Sequence, residues 1–425
     1  MLDLRQVRER PEAVRAALAR KGEPGALDAL ERVLSLDRQR RELLLRVETL
    51  RAQRNHLSGA VAAAGREDRQ ALVAEAKAVG ASLKGMDADL DLCQAQLREA
   101  ALELPNVPDA EVPDGQGDAD NVELRRHGAL PVFQSVAQAH WDIGARLGVL
   151  DFERSGKISG PRLTVFRGAG ARLVRGLASF MLDLHVDRHR CTEVLPPFLV
   201  NTPSMFGTGN LPKFGGDAFR LEGADLWLIP TAEVPVTNLY RDEILSAEVL
   251  PIRHVAHTPC WRSEAGAAGR DTRGLIRQHQ FDKVELVYFT RPDASDGHFE
   301  EIVENAETVL RALELPYRTV AVCAGDLGFS AARKYDLEVW MPSYERYVEI
   351  SSCSNFRDFQ ARRANIRFRP AAQQPLEYVH TLNGSALAIG RTIAALLENG
   401  QQPDGSVRLP PALVPYLGIA SLRPV

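Results

Sequence analysis

The chain has 425 residues, 45% hydrophobic and 25% charged, with a net charge of −4. That length exceeds one domain, and the balance excludes a disordered tail, a disulfide-stapled miniprotein and a uniformly basic nucleic-acid binder, while a local basic stripe stays open. Five cysteines without a CxxC pair predict reduced, mostly buried thiols; the charged N-terminus MLDLRQVRERPE and the lack of a long uncharged apolar run predict a cytoplasmic chain with no membrane partner.

The first third carries two matched apolar series. One steps by three and four through Val33, Leu36, Arg40, Leu43, Val47, Leu50, Arg54, Leu57 and Val61. After a break at 64–68 the second runs through Leu72, Ala76, Val79, Leu83, Met86, Leu90, Cys93, Leu97, Ala100 and Leu104. Two heptad seams around a short Gly-containing connection predict an antiparallel helical hairpin over about 28–104, an arm about 50 Å long at 1.5 Å per residue. Residues 38–66 hold seven arginines against two acids, whereas 67–104 hold four basic and eight acidic residues. A basic stripe on a projecting arm, including Arg38, Arg41, Arg46, Arg51 and Arg54, suits a nucleic-acid backbone; a solvated coiled-coil face is the plainer alternative. The expected organisation is an N-terminal domain over 1–108, an acidic, Gly-rich linker over 109–123 and a globular domain over 124–425.

In the globular part, residues 173–189 read as a helix with Leu173, Leu177, Phe180, Met181 and Leu184 on one side, followed by a short strand at 191–195 that Pro196-Pro197 stops. Strand-like runs follow at 226–229, 253–261, 278–288, 317–322, 335–340 and 347–352, and helices at 297–313 and 384–399. Few crossover helices separate the strands, which predicts an α+β domain with an antiparallel sheet and flanking helices.

No GxxxxGK[ST] loop, HExxH helix or GxSxG elbow occurs. The dense constellation is instead Thr258-Pro259-Cys260-Trp261-Arg262-Ser263-Glu264, followed by a glycine-rich loop and 273–281. Arg262, Arg270, Arg273 and Arg277 fall within sixteen positions. Four guanidiniums are costly to bury together unless an anion accepts their hydrogen bonds, and a polyphosphate is such an anion. A salt-bridged surface loop is the alternative.

The stretch 258–285, with Thr231-Ala232-Glu233, the run 349–355 (EISSCSN), Thr381-Leu382-Asn383-Gly384-Ser385 and Gly390-Arg391, closely resembles the seryl-tRNA synthetase family of class II aminoacyl-tRNA synthetases, in its common bacterial type. The resemblance spans the chain, arm included. It implies a homodimer with an antiparallel-sheet catalytic domain that activates L-serine with ATP and Mg²⁺ to seryl-adenylate. The seryl group then passes to the terminal adenosine of tRNA(Ser), a selenocysteine tRNA being a second candidate acceptor.

By the same resemblance, the helix and strand ending near Pro196 or Pro197 match the family's first motif, at the dimer interface. Arg262 matches the arginine on the α-phosphate and Arg391 the arginine at the γ-phosphate. Ser263, Glu264, Arg277, Phe281, Glu349, Ile350, Ser351 and Ser352 complete the ATP site, with adenine stacked on Phe281 and magnesium held by Glu349 and Ser352. L-Serine falls to Thr231, Ala232, Glu233, Glu285, Asn383 and Ser385. No zinc is expected, because the TAE segment and full-length hairpin differ from the rare zinc-containing variant. Trp261 and Ala386 depart from the commoner residues there, and the Ala386 methyl is expected to tighten the pocket floor. An adenylating ligase for a carrier protein leaves the basic arm without a purpose. A degenerate scaffold would lack ligands, yet every proposed ligand is present.

Overall fold

Heptad spacing produces two helices, α1 (Ala26–Ala63) and α2 (Arg69–Glu103), of 38 and 35 residues. The computed structural model describes residues 1–265 and 273–424, and the chain divides into two units, Met1–Pro105 and Asn106–Val425. Within the first, Val33, Val47 and Leu57 of α1 and Val79, Leu83, Leu90, Cys93 and Leu97 of α2 are buried along the seam. The two seam arginines are accommodated differently. Arg40 donates to the buried Asp37 at 3.0 Å, while Arg54 is exposed. Burial alone would raise the Asp37 carboxyl, but Arg40, Arg8 and Arg41 together hold it below the usual carboxylate range.

The second unit is built on an eight-stranded sheet whose strands, in chain order, are β1 (Val122–His127), β2 (Thr192–Glu193), β3 (Ile252–Trp261), β4 (Gln280–Thr290), β5 (Tyr317–Ala321), β6 (Arg333–Met341), β7 (Arg346–Asn355) and β8 (His380–Ala388). The spatial order is β1-β5-β6-β7-β8-β4-β3-β2, antiparallel throughout except for the terminal β2/β3 pair. Three helices pack on one face: α3 (Ala169–Asp187), α4 (Ser295–Ala312) and α5 (Ile389–Asn399).

Period-two alternation sorts the central strands. Val284, Leu286 and Tyr288 of β4 and Leu382 and Ala386 of β8 join the helix-side core. Phe281, Lys283 and Glu285, and Asn383 and Ser385 beside them, therefore fall on the other face. Gly384 faces α4 so closely that a Cβ there would lie 2.3 Å from Ile302.

The expected helix over 384–399 begins only at Ile389, because residues through Ala388 are held in the ladder between β7 and β4. Where β8 leaves the sheet, two residues separate Ser385 from Ala388 while one separates their partners Glu285 and Lys283. Leu387 takes a left-handed φ of 89° within this bulge, and α5 starts directly after it. Ala386 is fully buried on the helix side, so its methyl does not form the pocket floor.

Candidate active site

The open face of β4 joins two neighbouring cavities of about 400 and 350 Å³. The larger is lined by Arg262, Glu264, Arg277, Phe281, Glu349, Ile350, Ser351, Ser352, Ser385 and Arg391. The smaller is lined by Thr231, Glu233, Asn383 and Lys334. Asp217, Arg262, Lys283 and Ser352 border both.

Beside the smaller cavity, Asn383 Nδ2 donates to Glu233 Oε2 and to Glu285 Oε1, each at 2.9 Å. Ser385 Oγ donates to Glu285 Oε2 at 3.3 Å, and Lys283 forms an ion pair with Glu285. Gln360 Nε2 fixes the other Glu233 oxygen at 2.6 Å and is itself held by Thr381. Burial, with the nearby Glu285 carboxylate, pushes the Glu233 carboxyl up to about 7. Two carboxylates bridged by an amide form a receptor for a small cation bearing hydrogen-bond donors. Asn383 Oδ1, buried and without a partner among the described residues, adds an acceptor. Ala232 instead packs in an apolar cluster with Val236, Val287 and Phe289, so its side chain lies outside the cavity.

The larger cavity is arranged for a polyanion. Arg262 sits over the Phe281 ring at 5.3 Å and is steadied by the Pro230 carbonyl. Arg391 donates to the Ile276 carbonyl at 3.0 Å and the Glu349 carbonyl at 2.6 Å. Arg277 pairs with Glu264, which has a left-handed φ of 53°. Asp217 anchors the start of the following loop, accepting from Ala265 N–H at 2.9 Å. On the returning side, Leu275 N–H donates to His140 Nε2, leaving Nδ1 to donate to Glu398 at 2.7 Å. This buried pair supports the segment that carries Arg277. Arg270 lies outside the described residues.

Glu349 and Ser352 are three apart, a spacing that sends side chains to opposite faces of a regular strand. The register of β6 and β7 runs Leu337↔Ser351 and then Glu338↔Glu349, leaving Ile350 as an extra residue. This bulge lets Glu349 and Ser352 line one cavity. Partial desolvation favours the neutral form of Glu349, but Arg391, Lys334 and Arg262 outweigh it and hold its carboxyl well below the usual carboxylate range. Asp336, opposite Ser352, keeps a buried Oδ1 without a hydrogen-bond partner among the described residues. An ionised carboxylate and a hydroxyl on one cavity wall fit a hard divalent cation that takes few protein ligands and keeps water or phosphate oxygens. No cluster of three or more His, Cys, Asp or Glu side chains suited to a metal occurs among the described residues. The Ser351 hydroxyl is committed to the Ser385 carbonyl at 2.5 Å.

Comparison with known proteins places the whole chain, arm and sheet domain alike, in one family. Residues 219–400 match the tRNA synthetase class II core domain (G, H, P, S and T), and residues 1–108 match the seryl-tRNA synthetase N-terminal domain. A serine–tRNA ligase of Caldanaerobacter subterraneus subsp. tengcongensis is 55% identical over 425 residues, covering 100% of this chain and 99% of that one. The chain belongs to the seryl-tRNA synthetase family. The serine–tRNA ligase of Clostridium tetani is 52% identical, over 98% of this chain and 99% of its own. Among solved structures, the seryl-tRNA synthetase of Pyrococcus horikoshii complexed with ATP superposes with a TM-score of 0.96 at 36% identity, covering 100% of both chains. The cytoplasmic serine–tRNA ligase of Naegleria fowleri in complex with AMP gives 0.88 at 26%, over 100% of this chain and 99% of that one.

In the N-terminal unit of this synthetase-family chain, Arg38, Arg41, Arg46, Arg51 and Arg54 are all exposed. Arg41 pairs with Asp37 at 3.2 Å and Arg51 with Asp87 at 3.0 Å, whereas Arg38, Arg46 and Arg54 make no ion pair among the described residues. Sequence reasoning missed Lys283, Asp217, Gln360 and His140. Only Lys283 carried a readable signal: it lies two residues from Phe281 and two from Glu285 on one strand. The others come from distant segments.

Proposed function

We propose that the second unit activates L-serine with ATP to seryl-adenylate and pyrophosphate, and then passes the seryl group to the 3′-terminal adenosine of tRNA(Ser), releasing AMP. The serine carboxylate, already ionised, attacks the α-phosphorus, so no general base is needed. Arg262 binds the negative charge that develops there, and Arg391 holds the far end of the triphosphate. Phe281 carries adenine. Glu349 and Ser352 would hold magnesium, which when bound would offset charge on the triphosphate. Thr231, Glu233, Asn383 and Ser385 receive the amino acid; its ammonium and hydroxyl meet the Glu233–Glu285 pair, so alanine fails for want of a hydroxyl and threonine through its extra methyl.

The observation that carries this reading is the single face of β4. It carries an aromatic platform that lines the larger cavity, a cation that borders both cavities, and a buried carboxylate paired with that cation. The exposed arginines of α1 are the proposed grip on tRNA phosphates. The reading includes a homodimer formed through α3 and the segment after β2, where Val186, Leu195 and Leu199 are exposed. It also includes a cytoplasmic site of action, where tRNA is charged for translation. ATP–pyrophosphate exchange with serine, threonine and alanine, followed by aminoacylation of total tRNA, tests it. Serine alone is expected to support both; exchange with no amino acid, or best with alanine, would overturn it.

A further inference from the structure

Glu285 is completely buried and lines neither cavity, although it is the carboxylate best placed to read an amino acid. Its oxygens are occupied by Asn383, Ser385 and Lys283. Lys283 is 6% exposed, borders both cavities and also reaches Ser385 Oγ at 3.3 Å. Along β4, alternate residues on one face are about 7 Å apart. Lys283 thus stands one such step from the adenine platform Phe281 and one from Glu285, beside the junction where a carboxylate would meet an α-phosphate.

We propose that Lys283 is an exchangeable counter-ion: it caps Glu285 in the empty site and, when the amino acid's ammonium and hydroxyl take over Glu285, transfers to the incoming α-carboxylate and holds it beside Arg262. This rests on the reading of the site as one for amino-acid activation. The charges balance at each stage. A zwitterion brings one cation to the two acids and one anion that needs a partner, so the lysine becomes surplus at Glu285 at the moment it is required at the carboxylate. Above pH 7, where Glu233 is ionised, the exchange moves no proton, and the lysine charge passes from one carboxylate to another rather than being stranded without a partner, which would be the costly outcome. A compact ammonium on a flexible four-carbon stem can change partners across this distance without moving the strand.

The test is calorimetric binding of L-serine and of L-serinamide, which keeps the ammonium and hydroxyl but lacks the carboxylate charge, to the full chain at one pH. Wild type is expected to prefer serine, and Lys283→Met to lose at least tenfold in serine affinity with much less change for serinamide, collapsing the preference. Lys283→Arg should recover part of it. Equal loss for both ligands would make Lys283 only a structural partner of Glu285 and overturn the proposal. Binding of neither ligand to wild type would overturn the underlying reading of the site. Because Lys283→Met leaves Glu285 buried and unpaired, the double variant Lys283→Met/Glu285→Gln removes both charges. It too should bind the two ligands nearly alike, and a retained preference for serine would contradict the exchange.

Discussion

Arg262 spans the two cavities and touches the Phe281 ring, so its removal strips the cation nearest the proposed α-phosphate. Arg262→Ala should slow serine-dependent pyrophosphate exchange by a factor on the order of 10² or more, the scale of losing one preorganised contact to developing charge. An unchanged exchange rate would remove Arg262 from that role. Glu233 gives a second prediction. With its carboxyl pushed up to about 7, it is largely protonated below that pH in the empty site, whereas an ammonium ligand requires the ionised form. Serine affinity should therefore fall as pH drops below 7, approaching about tenfold per unit, and calorimetry from pH 5.5 to 8.5 would read it. Glu233→Gln should flatten the profile at lower affinity. The stability linkage has the opposite sense. A raised carboxyl binds a proton in the folded state that the unfolded chain gives up near 4.5, so this group's contribution is full below that pH and is lost as pH rises through 7.

At the scale of elements, the proposed function assigns the hairpin and the returning segment of the arginine-rich loop to different steps. Replacing residues 46–86 of the arm with a turn removes Arg46, Arg51 and Arg54 while keeping the cross-hairpin contacts of Leu36 with Cys93 and of Arg32 with Glu103. Exchange should persist and tRNA aminoacylation should weaken by an order of magnitude or more, since several phosphate contacts are lost at once. Equal loss of both activities would contradict a tRNA-specific arm. In the proposed function His140 bears on the other step. His140→Ala would free the Leu275 N–H and remove one partner of the buried Glu398, at a cost of about 2–3 kcal/mol in stability. Because Arg277 follows Leu275 by two residues, the KM for ATP should rise more than that for serine; thermal unfolding and exchange kinetics measure the two effects separately.

For the whole molecule, the proposed dimer predicts sedimentation at twice the 46.8 kDa chain mass. Leu195, 78% exposed beside β2, is the residue to change. Leu195→Lys should shift the assembly toward monomer and lower exchange with it; a monomeric wild type would discard the interface. The same scale separates what could be read in the residues from what could not. The seams of α1 and α2, the apolar side of α3 and the strands flanking the arginine-rich loop follow local periodicity, which a linear chain displays directly. Ala386, by contrast, was assigned to the wrong face and the start of α5 was placed five residues early, since a ladder partner on either side of β8 overrides local helix preference.

The sequence by itself determined the hairpin and the α+β class through local periodicity, and marked the arginine-rich loop as a candidate anion site; the remaining polar groups of the candidate site were named only through the family resemblance. Only the tertiary structure decided how those groups are presented. The extra residue Ile350 turns Glu349 and Ser352 to one cavity, and the strained Leu387 launches α5 so that Arg391 reaches the Glu349 carbonyl. Lys283 caps a carboxylate that spacing alone would have left open. Bulges and ion pairs of this kind arise from the register between strands distant in the chain, and no local pattern encodes that register.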